Sequence, residues 1–185
     1  MGYVVKIGGS LVNQGYAVVA RALAFWRQRA GREPMLLVVG GGAPVDGLRV
    51  LARGWPVDDR LFHPWALAIM DMNATLVAAH FGLATIERLD QWTAGAGIQV
   101  WVGAQRLAHI AELDASWRTT SDTVAAWLGY QLQAEVGVVK ALPPPSAAPW
   151  RLTLENASLW RPHFDDALIE WVERVPVWWS GPAAG

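Results

Sequence analysis

The chain has 185 residues, 53% hydrophobic and 17% charged, with a formal net charge of −1 at pH 7 and no cysteine. That length and apolar share suit one domain or a fused pair of small lobes, and argue against disorder. The near-zero charge supplies no broad basic field for nucleic acid or an acidic membrane, and the lack of cysteine excludes disulfides, thiolate metal sites and cysteine nucleophiles.

Residues 3–7, Tyr-Val-Val-Lys-Ile, are a β-branched run stopped by Gly8-Gly9-Ser10, which predicts a buried strand. Val12, Tyr16, Val19, Leu23 and Trp26 then recur at helical spacing, with Arg27 and Arg29 in the last turn and Gly31 as the stop. A second buried strand, 35–39, runs into Gly40-Gly41-Gly42, followed by a helix over 44–53. Trp65, Ile69, Met72 and Leu76 repeat the helical period and predict a long helix over 63–81. Strands are expected at 85–89 and 98–102, a helix at 120–133 with Val124, Trp127, Leu128 and Leu132 on its apolar face, and a strand at 135–140. The Pro/Ala-rich stretch 141–150 reads as loop, 164–175 as a last helix with Asp165 and Asp166 in its first turn, and 177–179 as a final strand.

Strands alternate with helices and are apolar on both faces, the pattern of a parallel sheet covered on both sides. Ligands of such folds sit beyond the carboxyl ends of the strands. Two strands end in glycine turns that open helices, which lets backbone N–H groups approach an anion. Of the 15 cationic side chains only Lys6 and Lys140 are lysines, the other 13 being arginines. Each lysine falls at or near a strand end, and a lysine is the compact, flexible point charge that reaches a phosphate. Asp122, in Thr120-Ser121-Asp122-Thr123, reads either as part of an ordinary helix cap or as a carboxylate that holds both ammonium groups. Phosphoryl transfer is chiefly positioning and charge stabilisation, and this set of residues fits it. The four histidines, His63, His80, His109 and His163, show no metal-ligand spacing, and no Gly-x-Ser-x-Gly elbow occurs.

Residues 4–10, 38–42 and 120–126 resemble, in order, the amino acid kinase superfamily, the resemblance covering roughly residues 3 to 140. It implies an α/β three-layer αβα sandwich that binds ATP with Mg²⁺ and transfers the γ-phosphoryl group to a carboxylate or phosphate acceptor. Gly40-Gly41-Gly42 with Asp46 and Arg49, His63 through Asp71, and Trp117 before Thr120 are most similar to the aminomethylfuran phosphate kinase branch of methanofuran biosynthesis. The resemblance assigns Lys6, Asp122 and Lys140 to catalysis and Gly8, Gly9 and Ser10 to the ATP phosphates. It assigns Gly40, Gly41, Gly42, Asp46, His63 and Asp71 to the acceptor, with no metal ligand. Lys140 reads alternatively as a plain strand-end residue, and helical spacing sets Asp71 about 100° off the Trp65 stripe.

Relatives often carry an acidic Asp-x-Asp-Gly loop after the strand of Lys140, where this chain has Ala141-Leu142-Pro143-Pro144-Pro145, a departure that keeps open a non-catalytic anion-binding homologue beside a uridylate, isopentenyl phosphate or acetylglutamate-type kinase. A single domain over 1–185 is expected, with about 1–115 the acceptor lobe and about 116–185 a shortened nucleotide lobe. The absence of a signal-peptide layout, and of an apolar run reaching the ~18 residues of a spanning helix, predicts a cytoplasmic protein. Family resemblance and the 12 tryptophans point to a homo-oligomer.

Overall fold

The computed structural model of the protein describes residues 2–93, 95 and 97–182; the remaining positions of the expected domain lie outside it. In chain order the elements are β1 (Tyr3–Ile7), α1 (Gly9–Val12), α2 (Tyr16–Ala30), β2 (Met35–Val39), α3 (Ala43–Arg53), α4 (His63–Phe81), β3 (Ala84–Ile86) and β4 (Ile98–Trp101). They continue with α5 (Ser121–Gln131), β5 (Glu135–Val139), β6 (Trp150–Arg151), α6 (Ala157–Trp160) and β7 (Val177–Ser180). Among the described residues seven strands form one sheet in the order β3-β4-β2-β1-β5-β7-β6, parallel throughout except for β6 against β7.

β1 lies between β2 and β5, with Lys6 in register with Val38 and Val138. Side chains alternate along a strand, so Val5 and Ile7 face one side of the sheet and Val4 and Lys6 the other. On the first side Val5, Ile7, Leu37, Val39 and Val139 pack against Val19, Leu23 and Trp26 of α2. On the second, Val4, Val38, Val136 and Val138 pack against Val124, Ala125 and Leu128 of α5. α4 serves both, with Leu67 and Met70 in the α5-side cluster and Ala74, Val77 and Ala78 in the α2-side cluster. Gly137 sits mid-strand because the Trp26 indole fills its place, only 2.4 Å from where a Cβ would stand. That indole is fully buried and donates its N–H to Ser180 Oγ at 3.1 Å.

Several expectations are corrected. The first helical stretch is two helices, α1 and α2, broken at Gly15, whose φ of 98° suits glycine. The third strand ends at Ile86, because the Gln91 side chain accepts from the backbone N–H of both Glu87 and Arg88 and turns the chain. The expected last helix is a tight three-ten turn, Asp166–Glu170, and Trp150 of the expected loop pairs with Trp179. The periodic stripe that marks α4 in the sequence, whose facing the spacing leaves open, points outward: Met72 is 70% and Leu76 62% exposed, and Trp65 is also exposed, while Leu67, Met70, Ala74, Val77 and Ala78 form the buried face.

Candidate active site

Three helices begin beyond the carboxyl ends of the central strands: α1 after β1, α3 after β2, and α5 beside them. The glycine turns that open α1 and α3 touch each other. A Cβ on Gly9 would lie 2.0 Å from Gly42 N, and one on Gly40 would lie 2.7 Å from Gly9 N. Gly42 also has a φ of 62°. Only glycine permits this approach of two backbones. The second turn is pinned from α4, where Asn73 Nδ2 donates to Gly40 O at 2.8 Å and Gly41 O at 2.9 Å.

Lys6, sent to the α5 side by the strand alternation, meets Asp122 in the first turn of α5. Its Nζ lies 2.7 Å from Asp122 Oδ1, and Lys140 Nζ lies 2.6 Å from Asp122 Oδ2. One carboxylate therefore holds both lysines of the chain. Lys6 is 5% and Asp122 2% exposed. Burial alone would raise the Asp122 carboxyl, but the flanking Lys6 and Lys140 charges overcome it and hold it at about 2. Burial pushes the Lys6 ammonium downward, as does the charge of Lys140, against the pull of Asp122. Lys140 Nζ also donates to His163 O at 2.6 Å and lies 4.2 Å from the centroid of the Phe164 ring. Thr120 caps the helix, its Oγ1 accepting from Asp122 N at 3.4 Å.

Two clefts meet at this cluster. The inner one, about 200 Å³, is lined by Lys6, Gly9, Ser10, Gly41, Gly42, Asp46, His63, Asp122 and Lys140, nine of the residues singled out in the sequence. Gly8 and Gly40 lie buried in the turns beneath it. The outer one, about 490 Å³, has Arg118, Phe164, Asp165 and Asp166 along its walls and shares Trp117, Thr120, Asp122 and Lys140 with the first. At the mouth of the inner cleft Asp46 pairs with Arg49 at 2.7 Å, and the Arg49 guanidinium lies 5.2 Å from the Trp117 ring centroid. His63 is buried, which pushes its imidazole downward despite the charge of Asp114.

Asp71 stands apart from both clefts. Its carboxylate accepts from Ala104 N at 2.7 Å and Gln105 N at 2.9 Å, capping the short turn that follows β4. Burial raises its carboxyl above the usual aspartate range.

The sequence reading missed Asn73, the hydroxyls of Ser121 and Thr119, and Asp165. Thr119 lines the inner cleft with its buried Oγ1 unpartnered among the described residues, and Ser121 Oγ lies 3.0 Å from the Cβ position of Gly40. Ser121 and Thr119 adjoin the Asp122 motif, and that adjacency was the available signal. Asn73 acts across the fold and leaves no local pattern, and the local pattern of Asp165 is that of an ordinary cap, which hides its distant partners.

No family model matches the sequence, and comparison with curated proteins finds no significant match. Solved structures do match. The uridylate kinase of Archaeoglobus fulgidus superposes with a TM-score of 0.66 at 13% identity, over 97% of this chain and 90% of that one. The UMP kinase of Bacillus anthracis gives 0.63 at 12%, over 97% and 86%. The aspartate kinase of Synechocystis gives 0.64 at 20%, over 98% of this chain but only 38% of that longer protein. With its seven-stranded, mostly parallel sheet, the chain has the α/β fold of the amino acid kinase type that these enzymes share.

Proposed function

We propose that the protein is an ATP-dependent kinase of the amino acid kinase superfamily that phosphorylates a small phosphomonoester, with an aminomethylfuran phosphate as the acceptor of choice. The observation that carries this reading is the single Asp122 carboxylate shared by Lys6 and Lys140 where two clefts meet. Two substrates must present a phosphate to one another there, and two ammonium groups offset the negative charge that spreads over the transferred group.

In this reading a phosphate oxygen of the acceptor attacks the γ-phosphorus of ATP. A new P–O bond forms as the bond to the leaving ADP oxygen breaks, giving a diphosphate. Lys6, Gly8, Gly9 and Ser10 hold the ATP phosphates, Gly40, Gly41 and Gly42 receive the acceptor phosphate, and Lys140 faces the transferred group. Asp122 holds the two ammonium groups apart, one on each carboxylate oxygen. The Gly9–Gly42 approach brings the two turns together without side chains between them. Mg²⁺ supplies charge neutralisation on the phosphates. Among the described residues no group of three His, Asp or Glu side chains could hold a metal ion. Asp46, at the inner mouth and exposed, is the carboxylate available to an ammonium on the acceptor, in exchange with Arg49. Residues of about 1–115 then form the acceptor lobe, and about 116–185 the nucleotide lobe.

A homo-oligomer belongs to the same reading. Apart from its histidines, α4 has one ionisable side chain, Asp71, bonded to the 104–105 turn, and its outward Trp65, Met72 and Leu76 leave an uncharged apolar face suited to a second copy. Among the described residues no helix is long and apolar enough to cross a membrane.

A uridylate-type acceptor is the second reading, because two of the three structural neighbours named above are uridylate or UMP kinases. The test is ADP release from Mg–ATP with aminomethylfuran phosphate, uridylate, isopentenyl phosphate and acetylglutamate offered in turn. Turnover with the furan phosphate alone is expected. Turnover with uridylate alone selects the second reading, and none with any acceptor removes both.

A further inference from the structure

Asp165 lies 45 residues from Thr120 in sequence, yet its carboxylate takes up the start of α5. Oδ2 accepts from Thr120 N at 3.0 Å, Thr120 Oγ1 at 2.7 Å and Thr123 N at 3.2 Å. Oδ1 accepts from Thr123 Oγ1 at 2.5 Å and Leu168 N at 2.9 Å. The Thr120 hydroxyl that donates to Asp165 is the one that accepts from Asp122 N, so two hydrogen bonds lead from one carboxylate to the backbone of the other. The two preceding residues hold Lys140, His163 through its carbonyl and Phe164 through its ring. Three consecutive residues of the C-terminal segment thus grip both Lys140 and the helix end that presents Asp122.

We infer that Asp165 is a positioning residue of the site. Through Thr120 and Thr123 it fixes the end of α5 that carries Asp122, and its charge completes a balanced set of two ammonium and two carboxylate groups. The charged and titratable groups facing this set are Arg118 and Asp166 at the rim of the outer cleft, with Asp46 and Arg49 of α3 and His63 of α4 lining the inner one. The charge of Asp165 favours the protonated form of Lys6, while burial and then the charge of Asp122 raise the Asp165 carboxyl itself. Replacing Asp165 by a neutral residue leaves a buried cluster with one excess positive charge, which disfavours the ammonium of Lys6.

The chain has two lysines, so ¹³Cε-lysine labelling gives two side-chain signals, assigned by loss of one in Lys140→Arg. In Asp165→Asn the Lys6 signal is expected to titrate at lower pH than in wild type, the direction set by the loss of a neighbouring negative charge. Thr123→Val keeps the charge and removes one bond. It is expected to lower Tm while leaving the Lys6 midpoint in place. An unchanged Lys6 midpoint in folded Asp165→Asn overturns the inference. Should Asp165→Asn not fold, wild type still decides. Its Lys6 signal is expected to carry a second inflection, from Asp165, above the usual aspartate range, and the absence of that inflection overturns the inference.

The kinetic arm rests on the phosphoryl-transfer reading. In Asp165→Asn, kcat falls ~10-fold with both KM values within about twofold, and the alkaline limb of kcat moves down with Lys6. A shifted Lys6 midpoint in a protein that phosphorylates no acceptor supports the positioning role and removes the kinase reading.

Discussion

The two sides of the site are built by different means. The side beneath β1 and β2 is made of backbone: two glycine turns in contact, Gly9 against Gly42, with Asn73 bonded to the carbonyls of the second. The side beyond β5 is made of side chains drawn from distant parts of the chain, with Asp165 on Thr120 and Thr123, and Lys140 on Asp122 and His163 O. The backbone side is rigid because nothing larger than hydrogen fits between its turns. The side-chain side is held by charge and hydrogen bonds, so its geometry depends on protonation. Lys6 and Asp122 join the two, one from each.

That contrast is sharpened by substitutions, taken from the largest effect. Asp122→Ala strands two ammonium groups in a buried site, a change worth about 3–5 kcal/mol of stability when one member of a buried pair is removed. Urea unfolding is expected to register that loss, with turnover falling beyond the reach of a steady-state assay. Lys6→Ala is expected to lower kcat by ~10²-fold or more, the scale of losing one charge-stabilising donor, with folding retained. Wild-type turnover in this variant separates the buried lysine from the chemistry.

On the backbone side, Gly9→Ala drives a methyl to 2.0 Å from Gly42 N, and an overpacked site with no flexible neighbour costs about 1–3 kcal/mol or more. Gly47→Ala is the control. It lies within α3, with nothing among the described residues within 4 Å of its Cβ position, and is expected to raise stability by about 0.5–1 kcal/mol. Equal and small effects at both glycines erase the distinction between the turn and the helix.

The pH dependence divides along the same line. Asp122 is held at about 2 against 3.8 in the free residue, so its contribution to stability is present above 3.8 and disappears as pH falls toward 2. Lys6 has the opposite sign. Its folded midpoint is lowered below 10.5, so the unfolded chain binds more protons between the two values and this group's contribution to stability rises with pH there. Turnover falls over the same range as the ammonium is lost. Activity that declines at alkaline pH while Tm does not follow it is therefore expected. Parallel loss of both points to global unfolding instead.

The backbone side was legible in the sequence because its signals are contiguous. A β-branched run, a glycine turn and a helix follow one another twice, and the fold places both turns at one end of the sheet. Lys6 and Lys140 are marked differently, by the rarity of lysine in the composition. Asp165 looked like a first-turn helix acid, and it does accept from Leu168 N, but its other partners lie more than 40 residues away. α4 is apolar on most of its circumference, so its period could not say which stripe is buried. Trp65, Met72 and Leu76 turned out to face outward. Asp71 sits beside Met70 in sequence, but its carboxylate is engaged by the 104–105 turn rather than the cleft that Met70 lines.

The central claim is that the chain's two lysines act as one unit on a phosphoryl group. It is tested most directly by titrating ¹³Cε-lysine-labelled protein with the Mg²⁺ complex of a non-hydrolysable ATP analogue. Both lysine signals shifting together, along one saturation curve, is the predicted result. A saturable binding curve in which neither signal moves, or only one does, contradicts it.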